Sequence, residues 1–362
     1  MTRKRRLEAP HRRPEPASRL VRKTLAKAVE KAAVRGYRSV SWLIGHVPPG
    51  IARAAIGRGA QASYLAWPTK RRWSNANFGH VLGLPPTDRR VRRLALRAYH
   101  EYARYVVELM RLPAMPRSEA GQLVSGLELD GLEPIWKEAK GGLIFALGHV
   151  GNNEAVAAGV AARGWPVSVV ADDSAYPELF EDFRRLRESW GIHVIPWRNL
   201  REIYGVLRRR EMLALLVDWG YRSDGIPVRL FDAWTTLPAG PAALAAKTGS
   251  RIVPITIRRD AKDHFHVRWD APIDVPSSAP ADLLRATQQL ADSLAASIKA
   301  APEQWYSFKP MWPETAAESA ALERRAGEAL AGRAEALTGS RPERLSEPEA
   351  TGIAGTSPAG LR

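Results

Sequence analysis

The stretch "LIFALGHVGNNEAVAAGVAARG", residues 143–164, begins as a continuous apolar run, turns through Gly148 and continues as a helical pattern of small residues. A short run that is apolar on every side reads as a strand buried on both faces, and the pattern after it reads as the helix that covers one of them. The same alternation continues downstream. "VSVVA" (167–171), "HVIP" (193–196), "MLALLVD" (212–218) and "RIVPITI" (251–257) read as further buried strands, and "HFHVRWD" (264–270) as a final one. Between them, residues 153–163, 176–190, 199–209 and 240–248 read as helices, and 281–300 as a closing helix. Strand and helix alternation predicts an α/β fold, a mostly parallel central sheet covered by helices.

Upstream of this core the pattern is helical. From about Leu20 to Pro113, apolar residues recur around basic stripes, as in "LVRKTLAKAVEKAAVRGYRSVSWLI" and "VRRLALRAYHEYARYVVELMRL", which predicts an N-terminal amphipathic helical region. Trp42, Tyr64, Trp67, Trp73, Tyr99, Tyr102 and Tyr105 lie among those charges, where rings with a polar tip suit either a core or a lipid headgroup level. "SVSWLIGHVPPGIA" (39–52) is the best membrane candidate. It is shorter than the roughly 20 apolar residues of a spanning helix and contains two prolines, so surface association is expected rather than a span. After Pro313 the composition shifts to Ala, Glu, Arg, Gly, Ser and Pro, too poor in apolar residues to offset the entropy of ordering. The expected organisation is a basic disordered arm over 1–19, a domain over 20–313 divided into helices (20–113) and α/β core (114–313), and a low-complexity tail over 314–362. Within the tail, 314–336 reads as an exposed helix and the remainder as disordered.

The 362 residues include no cysteine, which excludes disulfides and thiolate catalysis and is compatible with a reducing compartment. The formal net charge is +16, and residues 1–38 alone carry thirteen basic side chains against Glu8, Glu15 and Glu30, a local +10. Such an arm suits an anionic surface, lipid or nucleic acid. No apolar segment of the secretory kind follows the basic start, so the protein is expected to stay inside the cell.

Sheets of this kind bind ligands beyond the carboxyl ends of their strands, and "LIFAL" delivers Gly148 and His149 to that edge. Asn152 or Asn153 can cap the next helix, and Glu154 falls in its first turn, where negative charge is favoured. The bland alternative is that these residues only punctuate a strand and a helix. The chemical reading is that Glu154 accepts a hydrogen bond from one imidazole nitrogen, fixing the tautomer and leaving the other nitrogen as a base. With no G-x-S-x-G and no cysteine in the chain, the proton to be taken belongs to a substrate hydroxyl. Direct acyl transfer from a thioester fits that requirement.

These residues resemble a family. "GHVGNNE" is similar to the H-x4-D/E signature of lysophospholipid-type acyltransferases, in the form seen in bacterial lipid A late acyltransferases and phosphatidylinositol mannoside acyltransferases. "RRWSNANF" (71–78), "AYHEYARYVVELMRLP" (98–113), "LVDWGYRSDGIPVRLFDAWTTLPAGPAALAAKTGSRIVPI" (216–255) and "PEQWYSF" (302–308) resemble further blocks in the same order. The resemblance spans roughly 20–313. It implies transfer of a fatty acyl chain from acyl-CoA or acyl-carrier protein to a glycolipid or phospholipid hydroxyl by an enzyme held peripherally at the cytoplasmic face of the cell membrane, on its anionic surface, with no cofactor beyond the donor. It implies His149 as the base and Glu154 as its orienting partner, with Asn152, Asp218, Arg222, Pro238, Gly240 and Glu303 as substrate contacts. Ala233 and Thr236 depart from the mycobacterial pattern, and the basic character of the lipid A pattern is missing from "WYSFKPMWP".

The rival class is a basic nucleic-acid-binding or membrane-surface protein without catalysis. No helix-turn-helix, zinc spacing or RNP-type strand supports the nucleic-acid form, so no nucleic acid is expected. "AAKTG" has Ala246 where a P-loop needs glycine, and His264 with His266 reads as packing rather than as a metal site.

Overall fold

The structure, a computed structural model, describes residues 17–338 apart from 113, 114, 117, 118, 120, 121, 123, 126–130, 174 and 175. Most of the expected basic arm and the tail beyond 338 therefore lie outside the described residues. The alternation of the sequence resolves into helices α5 (Leu132–Glu138), α6 (Asn153–Ala162), α7 (Pro177–Ser189), α8 (Leu200–Arg208), α9 (Gly240–Thr248) and α10 (Pro280–Ala300), with nine strands among the described residues. Seven of these form one sheet, in the order β1 (Val124–Ser125), β9 (Phe265–Trp269), β8 (Arg251–Arg259), β2 (Leu143–Leu147), β5 (Met212–Leu216), β3 (Val167–Ala171) and β4 (His193–Pro196). β2, β3, β4, β5 and β8 are mutually parallel, as crossover helices require. β9 reverses direction against β8, and the short β1 runs parallel to it. This is the α/β architecture that the alternation predicts.

Two elements depart from that reading. Residues 226–237, with no clear period, form an antiparallel hairpin of β6 (Ile226–Leu230) and β7 (Ala233–Leu237), its turn carried by Phe231 and Asp232 at positive φ. The helix after Pro313, α11 (Ala316–Thr338), is anchored rather than merely exposed. It buries Leu322 and Ala326 and sends Arg325 to the carbonyls of Ser223 and Gly225.

The described N-terminal region folds into the helices α1 (Ala17–His46), α2 (Pro49–Ala66), α3 (Pro68–Leu82) and α4 (Arg89–Arg111). The apolar stretch 39–52 is divided between α1 and α2 by Pro48 and Pro49. No helix among the described residues is long and apolar enough to cross a membrane. Phe78, Val91, Leu94 and Ala98 of α3 and α4 join Ile144, Leu213 and Ile252 of the sheet and Leu290 and Leu294 of α10 in one core, so this layer is continuous with the α/β body. A second core on the opposite sheet face gathers Leu143, Phe145, Val253 and Val267 against Val156 and Val160 of α6. Alternating side chains of the same strands thus feed both cores.

Candidate active site

Strand register assembles the site. Leu147 of β2 and Leu216 of β5 are paired in the parallel ladder, and the next N–H, that of Val217, donates to the Leu147 carbonyl at 2.9 Å. His149 and Asp218 each follow that pair by two residues, so they emerge side by side at the carboxyl edge. His149 Nδ1 lies 2.6 Å from Asp218 Oδ1, and the His149 backbone N–H donates to Oδ2 at 2.8 Å. Trp305 Nε1–H donates to the same oxygen at 2.8 Å. The Asp218 side chain is fully buried, and these donors replace the water it has lost.

The electrostatics follow from that arrangement. Burial works against ionised Asp218, but the charge of His149 and the three hydrogen bonds outweigh it and hold the carboxyl below the usual range. Burial likewise works against protonated His149. The Asp218 carboxylate overcomes it by charge and hydrogen bond, with Lys309 opposing, and His149 ends above its ordinary value. With Nδ1 engaged as donor, Nε2 is the nitrogen left to accept a proton.

Gly148 and Gly151 are needed for the turn that carries the imidazole. A Cβ on Gly148 would stand 2.6 Å from Leu294 Cδ1 and 3.3 Å from Asp218 Oδ2. Gly151 adopts φ +69°, and a Cβ there would meet the backbone oxygen of Ile257 at 2.9 Å. Residues 304–306 brace the turn from behind. Gly151 N–H donates to Gln304 O at 3.1 Å, Tyr306 N–H donates to His149 O at 2.8 Å, and Val150 bridges Trp305.

The structure corrects the expected partner of the ring. Glu154 does not reach His149: its carboxylate is taken by Arg187 of α7, with Nε at 3.0 Å from Oε2 and Nη2 on Oε1. The physical reason is helical rotation. Asn153 turns back to donate to Gly148 O at 3.2 Å, and the next residue, about 100° further round, faces α7.

Asn152 is also not exposed to a substrate. It is fully buried, its Oδ1 capping α6 through Ala155 N–H at 3.0 Å and its Nδ2 donating to Glu108 Oε2 at 2.8 Å. Arg222 has a 70% exposed side chain paired with Asp224. Pro238 follows the hairpin and Gly240 opens α9, and neither lines the apolar cavity bounded by Trp219. Glu303 lines a separate depression with Arg58, Arg97 and His100. Of the six expected substrate contacts, Asp218 is the one brought to His149, and it arrives as the imidazole's partner.

An apolar cavity of about 290 Å³ lies between one sheet face and α6. Phe145, Leu147, Val169, Ala214 and Leu216, alternate residues of their strands, form its roof, with Ala157 and Val160 opposite. Glu154, Arg187 and Asp172 supply polar lining, and Trp219 stands at its boundary. The Trp219 ring meets His149 edge-on at 5.2 Å with the planes at 85°. The sequence reading missed Trp305, Trp219 and Arg187, although "PEQWYSF" and "LVDWGYRS" contain two of them. Among the described residues no group of His, Asp and Glu is arranged to hold a metal ion.

Fold and site together define an α/β protein in which an imidazole held by a buried carboxylate stands against Trp219, at the boundary of an apolar cavity. Residues 23–314 match the family described as bacterial lipid A biosynthesis acyltransferase, and the chain belongs to that family: it is an acyltransferase. It is 31% identical over 286 residues to the phosphatidylinositol mannoside acyltransferase of Mycolicibacterium smegmatis, covering 76% of this chain and 90% of that protein. A protein of the same description from Mycobacterium tuberculosis strain CDC 1551 is 27% identical over 303 residues, covering 81% and 92%.

Proposed function

We propose that this acyltransferase moves a fatty acyl chain from a thioester, acyl-CoA or acyl-carrier protein, to a hydroxyl of a glycolipid or phospholipid acceptor at a membrane surface. The observation that carries the reading is the Asp218-held imidazole of His149, its Nε2 uncommitted, next to an apolar cavity. Nε2 takes the proton of the acceptor hydroxyl as its oxygen bonds to the thioester carbonyl carbon. The C–S bond then breaks, and the imidazolium returns its proton to the departing thiolate. Asp218 stabilises the imidazolium between those events. The cavity takes the acyl chain, where each buried methylene contributes about 0.8 kcal/mol. Glu154 acts on Arg187 at the cavity wall rather than on the ring. The names of the relatives support a phosphatidylinositol mannoside or similar glycolipid as the acceptor.

Membrane attachment is supported by the first helices. Trp42, Leu43, Ile51 and Leu65 on the helices and Trp67 between α2 and α3 are all more than half exposed, and the same helices carry exposed basic residues such as Arg58 and Arg72. That combination suits burial of rings at the headgroup level of an anionic bilayer.

The test is transfer of radiolabelled palmitate from palmitoyl-CoA to phosphatidylinositol mannoside in mixed micelles. His149→Ala should fold, by an unchanged circular dichroism spectrum, and lose transfer by about 10²–10⁴-fold. A folded His149→Ala protein with full activity would overturn the reading.

A further inference from the structure

A second concavity, of about 620 Å³, shares Trp219 with the first. Trp73 of α3, Trp219 and Trp312 give it aromatic walls, and Lys70, Lys309 and Glu314 supply charge. Glu318, from the start of α11, adds a second carboxylate. Trp219 therefore separates an apolar cavity from an aromatic and charged cleft, and His149 touches the partition. Lys309 Nζ lies 5.4 Å over the Trp219 ring, close enough for its charge to act on His149. Lys70 Nζ lies 4.6 Å over Trp73. Among the described residues neither ammonium has a carboxylate partner; each rests against an indole face.

The chemistry of this lining selects among the parts of the two substrates. Flat indole faces pack against the C–H face of a sugar ring, and carboxylates accept from its hydroxyls. Two lysines against Glu314 and Glu318 leave the cleft near electrical neutrality. A headgroup with several phosphates would meet both carboxylates, and the like charges would oppose it. A neutral glycan on a single phosphodiester meets no such opposition and can give that phosphodiester to one ammonium. Trp219, which lines this cleft, is also the ring that meets His149 edge-on.

We propose that this cleft is the acceptor site: it seats the glycan and phosphodiester of a glycophospholipid, with one sugar stacked on Trp219 and its hydroxyl facing His149 Nε2, across the partition from the acyl chain. The assignment rests on the acyl-transfer reading given under Proposed function. It gives α11, at the C-terminal end of the described chain, a part in acceptor choice through Glu318.

The experiment uses the full chain and two soluble probes, glycerophosphoinositol dimannoside for the acceptor headgroup and coenzyme A for the donor headgroup, each titrated calorimetrically. The dimannoside should bind the unaltered protein, and Trp73→Ala and Lys70→Met should each weaken it by about tenfold, with Trp73→Tyr recovering most of the loss. In steady-state transfer from palmitoyl-CoA, the same substitutions should raise KM for phosphatidylinositol mannoside about tenfold and leave KM for the donor within about twofold. Equal weakening of coenzyme A would assign the cleft to the donor and overturn the proposal, as would unchanged binding of both probes in variants with unaltered melting temperature. Because binding is read without turnover, a protein that binds the dimannoside through Trp73 and Lys70 yet transfers no acyl group would overturn the enzymatic reading and leave the cleft assigned.

Discussion

At His149, one ring nitrogen is committed to Asp218 and the other is not, and the pH dependence of the enzyme follows from that division. In the proposed mechanism His149 is the base, and it must be neutral to accept a proton. Since the Asp218 carboxylate holds His149 above its ordinary value, the acidic limb of kcat/KM should lie above about pH 6.5, with activity lost as pH falls through it. Asp218→Asn removes the charge that raises the imidazole while its burial persists. The limb should therefore move to lower pH, and the rate should fall by about 10³–10⁴-fold, because an amide no longer enforces the tautomer with the proton on Nδ1. A kcat/KM profile from pH 5 to pH 9 reads both effects; an unmoved limb would show that Asp218 does not set the imidazole. The histidine itself was legible at the end of "LIFAL". Its partner was not, because a glutamate five positions away in sequence is a shorter extrapolation than an aspartate 69 residues on.

At the scale of elements, the helical layer is fastened to the sheet by buried charge. Arg259 of β8 has a side chain only 1% exposed and donates to Glu101 at 3.0 Å and Glu108 at 2.7 Å, both on α4. Arg104 pairs with Glu101 and Asp263, Arg53 of α2 with Asp263, and Glu108 accepts from Asn152, the cap of α6. Burial pushes Glu108 above the usual carboxylate range despite Arg259 beside it. Arg259→Met leaves these carboxylates without their cation and should cost about 3–5 kcal/mol in urea unfolding, whereas the exposed Arg58→Met should stay within about 0.5 kcal/mol. The cavity makes its own prediction through α6. Ala157→Phe would fill part of it and should shift the preferred thioester to a shorter chain, with binding falling roughly fourfold for each methylene displaced, measured with thioesters of eight to eighteen carbons. Five strands of the sheet were readable as apolar runs. The 226–237 hairpin was not, because Pro227 and the turn at Phe231 and Asp232 interrupt its period. "RRWSNANF" was readable as a block, but its structural role was not. Asn77 donates to the carbonyls of Ser307 and Lys309 and accepts from Met311 N–H, holding the segment that carries Trp305.

Across the whole molecule, the helices α1 and α2 present Trp42 and, at the end of α2, Trp67 at 67% and 59% exposure, while the strand edge that carries His149 and Asp218 lies in the α/β body. The membrane reading expects binding to phosphatidylglycerol vesicles that weakens as salt rises. It also expects Trp42→Glu with Trp67→Glu to reduce vesicle binding by about tenfold or more at unchanged melting temperature, by co-sedimentation. Equal sedimentation of the double variant would assign attachment to another surface. The sequence by itself determined what is encoded within a few turns of chain: the alternation that makes an α/β sheet, the glycines of the turn after β2, the start of α6 and the family of the enzyme. Tertiary structure alone decided which carboxylate meets the imidazole, that Glu154 serves Arg187, and that Trp219 divides an apolar cavity from an aromatic cleft. The physical reason is that apolar periodicity is a local property of the chain, whereas the neighbours of a side chain at a strand end are set by the order and register of strands distant in sequence.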